Sequence, residues 1–245
     1  MRCQLNKKAL VYICSNNNHS CLLCDEPAEQ AHPICVACET ELPWLVEHCR
    51  ICALPLPLDG MLCDQCLRRR PAFSQVHAPW HYGFPLDTLI TRFKHQRQWP
   101  LGRLLALMLG NWLGHRFSEG APRPALLLPV PMSTPRLRQR GYNQAAMLAG
   151  WLAAHLALPC ADRVLTRTRD TPAQQELDAR ARRHNLKGAF ALTHPEAVAG
   201  LHVALVDDVL TTGATAQALA RLLRDAGAAR VDIYCLARTP RPGSA

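Results

Sequence analysis

The cysteines constrain this chain before anything else does. "CLLC" (21–24), "CVAC" (35–38), "CRIC" (49–52) and "CDQC" (63–66) follow one another with ten residues between each pair and the next. Ten of the twelve cysteines fall within the first 66 residues. Each Cys-x-x-Cys turn points two sulfurs at one ion, and thiolates suit Zn²⁺, which takes four ligands where its role is structural. Eight ligands, Cys21, Cys24, Cys35, Cys38, Cys49, Cys52, Cys63 and Cys66, therefore make two sites. The intervening stretches are too polar and Pro-rich to bury eight free thiols, and the pairs do not sit in the βαβ pattern of a redox motif. Sequential pairing gives two small ribbons and interleaved pairing a cross-braced module. Spacing leaves both open, although a short spacer closes a hairpin with little loss of entropy, which favours the sequential form. His19, His32 and His48 stand close enough to substitute as ligands but read as surface histidines. Apolar periodicity is weak across 21–66, so this segment is expected to fold only with its metals bound, and those metals to be structural.

Charge separates the same segment from the rest. Residues 1–66 carry four Lys/Arg against eight Asp/Glu, and residues 67–245 carry 24 against 11, so the whole net charge of +9 belongs to the second part. A basic domain attracts polyanions such as nucleic acid or small anions such as phosphorylated sugars, and charge alone does not choose between them. Eight thiolates on two Zn²⁺ add about −4 to the acidic segment, which disfavours nucleic-acid contact there. The chain is 49% hydrophobic, the composition of a folded soluble protein. No apolar run approaches the roughly 20 residues that span a bilayer, and "ALVYIC" (9–14) is too short and poorly flanked for a signal peptide, so no membrane association and a cytoplasmic location are expected. "LRRRPAFSQ" (67–75) reads as a basic linker, giving a tail over 1–20, a double zinc ribbon over 21–66 and a second domain over 76–240.

In that second domain the spacing predicts helices near 86–96 and 101–116, a buried strand in "ALLLPVPM" (125–132) and a helix near 142–157. It further predicts strands in "DRVLTRTR" and "LHVALVDDV", a helix in "ATAQALARLLRDAG" and a last strand in "RVDIYCLART". Alternating strands and helices imply a parallel α/β sheet, and such sheets bind ligands at the carboxyl ends of their strands. "VALVDDVLTTGAT" (203–215) belongs at that edge. The amides and hydroxyls of Thr211, Thr212, Gly213, Ala214 and Thr215 suit a phosphate at a helix N-terminus. Asp207 and Asp208 would repel a bare phosphate, so they make sense with a ligand carrying hydroxyls or a metal one step away, as a ribose 5-phosphate does. An Asp acting only as a helix cap is the plainer alternative. No Gly-x-x-x-x-Gly-Lys-Ser/Thr occurs, which leaves a Walker-type nucleotidase unsupported. Cys160 and Cys235 read as buried apolar fillers.

"VALVDDVLTTGAT" closely resembles the phosphoribosyl-pyrophosphate (PRPP) signature of type I phosphoribosyltransferases. Together with the cysteine ladder, "VPVPMSTPRLRQRGYNQ" (130–144) and "RTRDTPAQQELDARARRHNLKGAF" (167–190), the chain from about 20 to 240 resembles the ComF family, also called GntX-like or competence protein F. The resemblance implies an α/β fold: a parallel-sheet type I phosphoribosyltransferase-like domain with a small N-terminal cysteine-rich zinc-ribbon domain. It implies PRPP as substrate with Mg²⁺, and participation in the uptake or processing of external DNA, with single-stranded DNA and a processing protein such as a helicase as partners. By motif, Asp207 and Asp208 hold the ribose hydroxyls and serve catalysis, and Thr211 to Thr215 hold the 5′-phosphate. Arg136, Arg138 and Arg140 lie in the loop that usually takes pyrophosphate, where guanidinium groups also suit a DNA backbone. Arg167, Arg169, Arg180, Arg182, Arg183 and Lys187 lie in the flexible loop that closes over PRPP and excludes water. Lys94 in "RFKHQ" matches a family position and also reads as a snorkelling helix lysine. No segment reads an acceptor base. The alternatives are a non-catalytic single-stranded-DNA adaptor that retains the pocket, and a nucleobase-salvage phosphoribosyltransferase.

Overall fold

The computed structural model describes residues 19–58, 60–168 and 188–241. Its contacts divide the chain into Met1–Leu42 and Pro43–Ala245, a boundary inside the cysteine ladder rather than at the stretch 67–75. In the first unit His19–Ser20 (β1) pairs antiparallel with Pro27–Ala28 (β2), and Val36–Thr40 (α1) follows directly on Cys35. The turn between the strands is closed by Cys21 N–H donating to Glu26 O at 2.7 Å and Asp25 N–H to Cys21 O at 2.9 Å. The second unit opens with the same turn. Cys49 N–H donates to Leu54 O at 2.8 Å, Ala53 N–H to Cys49 O at 2.9 Å, and Asp64–Arg68 (α2) follows on Cys63. Asp25 and Ala53, each four residues past its cysteine, share a positive φ of 64° and 51°. One ribbon design is thus repeated in the ladder.

Beyond α2 the second unit is built on five parallel strands: Gln75–His77 (β3), Trp80–His81 (β4), Leu126–Pro129 (β5), His202–Leu210 (β8) and Arg230–Arg238 (β9). Their order is β3-β9-β8-β5, with β4 continuing β3's side of β9. Val203–Val206 and Val231–Arg238 are buried throughout, as expected for strands covered on both faces. Leu86–Gln96 (α3) buries Leu86, Leu89, Ile90 and Phe93, one stripe at helical spacing. Trp99–Ser118 (α4) follows, with Pro100 in its first turn where no N–H is missed. Gly102 lets the two helices close up, since a Cβ there would lie 2.5 Å from the Phe93 ring. Thr134–Arg140 (α5) and Gln144–Leu156 (α6) come after β5, and Ala214–Asp225 (α7) lies between β8 and β9.

Three expectations change. "DRVLTRTR" does not join the parallel sheet: Leu165–Arg167 (β6) pairs antiparallel with Phe190–Leu192 (β7) in a sheet of its own. The free side of β5 is already occupied by the preceding chain, where Leu127 N–H donates to Pro159 O and Ala161 N–H to Leu127 O, at 2.9 and 3.0 Å. The stretch 67–75 is held against the sheet: Ala72 N–H donates to Gln217 Oε1 at 2.8 Å, Ser74 N–H to Val231 O at 2.7 Å, and Phe73 is buried. Cys235 is buried as expected, whereas Cys160 lies exposed on the edge segment beside β5.

At the amino-terminal half of β9, Asp232 is wholly buried. His202 Nε2 lies 2.8 Å from its Oδ2, and Arg230 Nε donates to both oxygens at 3.0 Å. Burial alone would raise the Asp232 carboxyl, but the bonds from His202 and Arg230 outweigh it and hold the group well below the usual carboxylate range. A depressed folded pKa adds stability that is complete above the unfolded value and is lost as pH falls through it. Asp232→Asn should lower unfolding free energy by about 3 kcal/mol in a urea titration at neutral pH, and flatten the loss of stability below about pH 5. A loss under about 1 kcal/mol would remove this carboxylate from the account of the sheet.

Candidate functional site

Each cysteine quartet comes together in sequence order. The sulfurs of Cys21, Cys24, Cys35 and Cys38 lie within 4.8 Å of one another, as do those of Cys49, Cys52, Cys63 and Cys66, which resolves the pairing as sequential. Cys24 and Cys35 sulfurs stand 3.7 Å apart and those of Cys52 and Cys63 3.6 Å. Backbone N–H groups of Leu23, Cys38 and Cys63 donate to Cys21, Cys35 and Cys49 sulfurs at 3.4 to 3.5 Å, the bonds that stabilise thiolates rather than thiols. All ten cysteines of the described residues are free of disulfides. The donor sets fit tetrahedral thiolate coordination of zinc. His19, His32 and His48 belong to neither quartet.

At the other candidate centre, β8 runs on through Asp207 and Asp208 to Leu210, so the acids stand inside the strand, two paired residues before its end. Successive residues of a strand leave it on opposite faces. Asp208 reaches Lys94 of α3, whose Nζ lies 2.9 Å from its Oδ2. Lys94 is therefore tied into the acidic centre, and the free snorkelling alternative falls. Asp207 is half-buried, and its Oδ1 accepts the Asp208 N–H at 2.9 Å. Burial first, and the neighbouring Asp208 charge second, push the Asp207 carboxyl up to about 7, against the opposing pull of that N–H and of Lys94. The two adjacent acids are thus different groups: one ion-paired, one poised to hold a proton near neutral pH.

Thr211 and Thr212 are exposed just past β8, Gly213 stands at the N-cap of α7, and Ala214 and Thr215 are in its first turn. Gly213 has φ 74°, a left-handed conformation that a side chain would strain. Its lack of a side chain leaves the helix start without a side-chain cap, and Ala214 N–H has only the Thr212 hydroxyl at 3.4 Å. The first N–H groups of a helix have no intrahelical acceptor and carry the positive end of its dipole, which makes this turn suited to an anion.

Arg136, Arg138 and Arg140 lie on α5, a short helix where a loop was expected. The local sequence explains it: Pro135 sits in the first turn, and Gly141 ends the helix at φ 85°. Helical spacing puts Arg136 and Arg140 on one side and Arg138 on the other, so the three do not converge. Arg167 on β6 stacks over Phe190 at 5.6 Å. Thr168 N–H donates to Ala189 O at 2.9 Å, joining the described chain on either side of residues 169–187. Arg169, Arg180, Arg182, Arg183 and Lys187 lie outside the described residues.

Several contacts were not foreseen. Tyr142 donates its hydroxyl to Phe93 O, and half-exposed Trp99 meets the Tyr142 ring edge-on at 6.2 Å. Asn143 donates to Val130 O and accepts the Ala145 N–H, both at 3.0 Å, fixing the turn from β5 to α6. Arg238, nearly buried at the end of β9, donates to Leu210 O, to Thr211 O and to Cys52 O. An arginine closing a strand reads in sequence as a solvated side chain, so nothing marked it.

Residues 143–244 match the phosphoribosyl transferase domain, and residues 18–67 match the double zinc ribbon domain. The chain is 38% identical to the DNA utilization protein YhgH of Salmonella typhi over 221 residues, covering 89% of this chain and 96% of that one. It is 34% identical to competence protein F of Haemophilus influenzae over 213 residues, covering 85% and 86%. Among solved structures it is similar to the purine phosphoribosyltransferase of Pyrococcus horikoshii Ot3, 18% identical over 55% of this chain and 70% of that one, with a TM-score of 0.34. Among the described residues no helix is long and apolar enough to cross a membrane.

The unequal acids can be read directly. In carbon-13 spectra of the unliganded protein the Asp207 carboxyl should titrate with a midpoint about 7. Asp208→Asn should move that midpoint down, because the like charge beside it is gone. A midpoint in the ordinary range near 4, in either protein, would show that Asp207 is solvated.

Proposed function

We infer the function from one premise: this chain belongs to the ComF family, whose members include a DNA utilization protein and competence protein F, and it carries a phosphoribosyl transferase domain behind a double zinc ribbon. On that premise the protein binds PRPP at the carboxyl edge of its parallel sheet and transfers the phosphoribosyl group in the uptake or processing of external DNA. The observation that carries this reading is the join of β8 to α7. An acidic pair, a threonine turn and a left-handed glycine follow one another at a helix N-terminus, which is the order that a ribose 5-phosphate requires.

In this reading Thr211, Thr212, Gly213, Ala214 and Thr215 bind the 5′-phosphate through N–H and hydroxyl donors. Asp207 and Asp208 accept hydrogen bonds from the ribose hydroxyls, and Lys94 holds Asp208 in place through its ion pair. Arg136 and Arg140, on one side of α5, supply cations for the pyrophosphate. The part played by the chain is to orient the sugar and to stabilise charge on the departing group. By the family resemblance, the stretch 167–187 closes over PRPP and shuts water from the anomeric carbon. Magnesium, bound together with PRPP, would supply charge neutralisation on the leaving group. The two cysteine quartets hold structural zinc, and they offer no open position for chemistry.

One observation favours a second reading, a single-stranded-DNA adaptor that keeps the PRPP pocket. Arg138 is exposed on the far side of α5 from Arg136 and Arg140. Cations spread around a helix follow an extended phosphate backbone more readily than they grip one pyrophosphate.

Titration calorimetry with Mg²⁺-PRPP tests the pocket that both readings share, and oligonucleotide binding separates them. The unaltered chain should bind it, and Asp207→Asn with Asp208→Asn should abolish the heat; an unaltered affinity in the double variant would sink the sugar site. Replacing Arg136, Arg138 and Arg140 together by Gln should weaken binding of a single-stranded oligonucleotide and reduce its salt slope by about 2 if DNA runs along α5. No change in either would leave the transferase reading alone.

A further inference from the structure

Arg238 is 7% exposed, and apart from the Thr239 hydroxyl at 3.4 Å the acceptors it uses are backbone carbonyls. Nε donates to Cys52 O at 3.0 Å. Nη1 is shared among Leu210 O at 3.0 Å, Thr239 O at 2.7 Å and Thr211 O. A buried cation is costly unless its hydrogen bonds are met, so these carbonyls must be held where the guanidinium expects them. They come from two places that are far apart in sequence. Cys52 belongs to the second quartet, and its sulfur is 3.6 Å from that of Cys63. Leu210 closes β8 and Thr211 opens the threonine turn, so the same planar group that reads the cysteine knuckle also fixes the first residues of that turn.

Neighbouring bonds make the knuckle part of the sheet. Val76 N–H donates to Ile51 O at 2.8 Å, and Ala53 is fully buried in the core beneath β8 and β9. The knuckle's own turn rests on Cys49 and Leu54, while the quartet that sets its shape is completed by Cys63 and Cys66 from across a ten-residue spacer. The Cys52 carbonyl thus sits in a turn whose shape the gathered sulfurs help to set, and the donor set is one that zinc gathers.

We propose that Arg238 is a positioning residue which couples metal occupancy of the Cys49, Cys52, Cys63 and Cys66 quartet to the conformation of the Thr211–Thr215 turn, so that the second ribbon governs affinity at the phosphate site. The consequence for PRPP rests on the reading of that turn given above. The coupling itself does not.

The experiment therefore reads the turn first and the ligand second, on the full chain. Amide hydrogen exchange across Thr211–Thr215 is compared for the zinc-loaded protein, the chelator-treated protein, Arg238→Gln and Arg238→Lys, with zinc content measured for each. Both variants should keep two zinc ions, exchange at the turn about 10-fold faster, and bind Mg²⁺-PRPP about 10-fold more weakly. Lys should not rescue, because one ammonium group cannot span carbonyls on two elements as the planar fork does. Chelation should speed exchange in the unaltered chain and add little in Arg238→Gln, since the link is already cut. Should chelation unfold the whole second unit, the zinc-loaded variants still decide. Unchanged exchange at the turn in zinc-loaded Arg238→Gln would overturn the proposal, as would full rescue by Lys. Altered exchange in a protein that never binds PRPP would instead keep the coupling and remove the PRPP reading.

Discussion

Strands β8 and β9 are covered on both faces, so each polar side chain they carry must find its partner inside the protein or leave a costly unsatisfied group. The four positions that matter most lie on these two strands. Asp232 is met by His202 and Arg230 near their amino ends. Asp208 is met by Lys94, and Arg238 by carbonyls of the turn and the knuckle, toward their carboxyl ends. Among the described residues Asp207 forms no ion pair, and burial with the Asp208 charge beside it pushes its carboxyl up to about 7. The stability of the sheet and the chemistry of its edge are consequences of one burial constraint, felt at opposite ends of the same strand pair.

The second half of the cysteine-rich segment lies in the same compact unit as that sheet. Both ribbons repeat one turn, with a cysteine amide bonded five residues on and a positive φ four residues on. The second is continuous with the sheet through Ile51, Ala53 and Arg238, and belongs to the same compact unit. Under the proposed coupling, a cysteine quartet that shares an arginine with the threonine turn is more than a staple, because its metal occupancy and the shape of the turn are then linked quantities.

Much of the second unit is legible along the chain because its helices and strands obey one local period each. The stripe Leu86, Leu89, Ile90, Phe93 marks α3, the run 202–206 marks β8, and the Gly213 turn marks the start of α7. What failed to be legible was pairing. "DRVLTRTR" has the residues of a sheet strand, yet β5 already has a neighbour on that side, and no local pattern carries that fact. The stretch 67–75 has the composition of a linker, but backbone donors at Ala72 and Ser74 fix it, and backbone donors are invisible in composition. The arginine-rich stretch after β5 became a helix on the strength of Pro135 and Gly141, two signals that its charge had obscured.

The sequence by itself determined which groups exist for chemistry: eight thiols at one repeated spacing, two adjacent carboxylates, and a threonine-glycine turn between a buried strand and an amphipathic helix. These follow from covalent order and from periods of two and 3.6 residues, which act over a few neighbours. Only the tertiary structure decided that the quartets form in order, that Asp208 is ion-paired with Lys94 while burial raises the Asp207 carboxyl, and that Arg238 joins a cysteine knuckle to the turn. Those properties depend on burial and on distances between residues up to 186 positions apart, and such distances are set by packing of the whole unit rather than by any stretch within it.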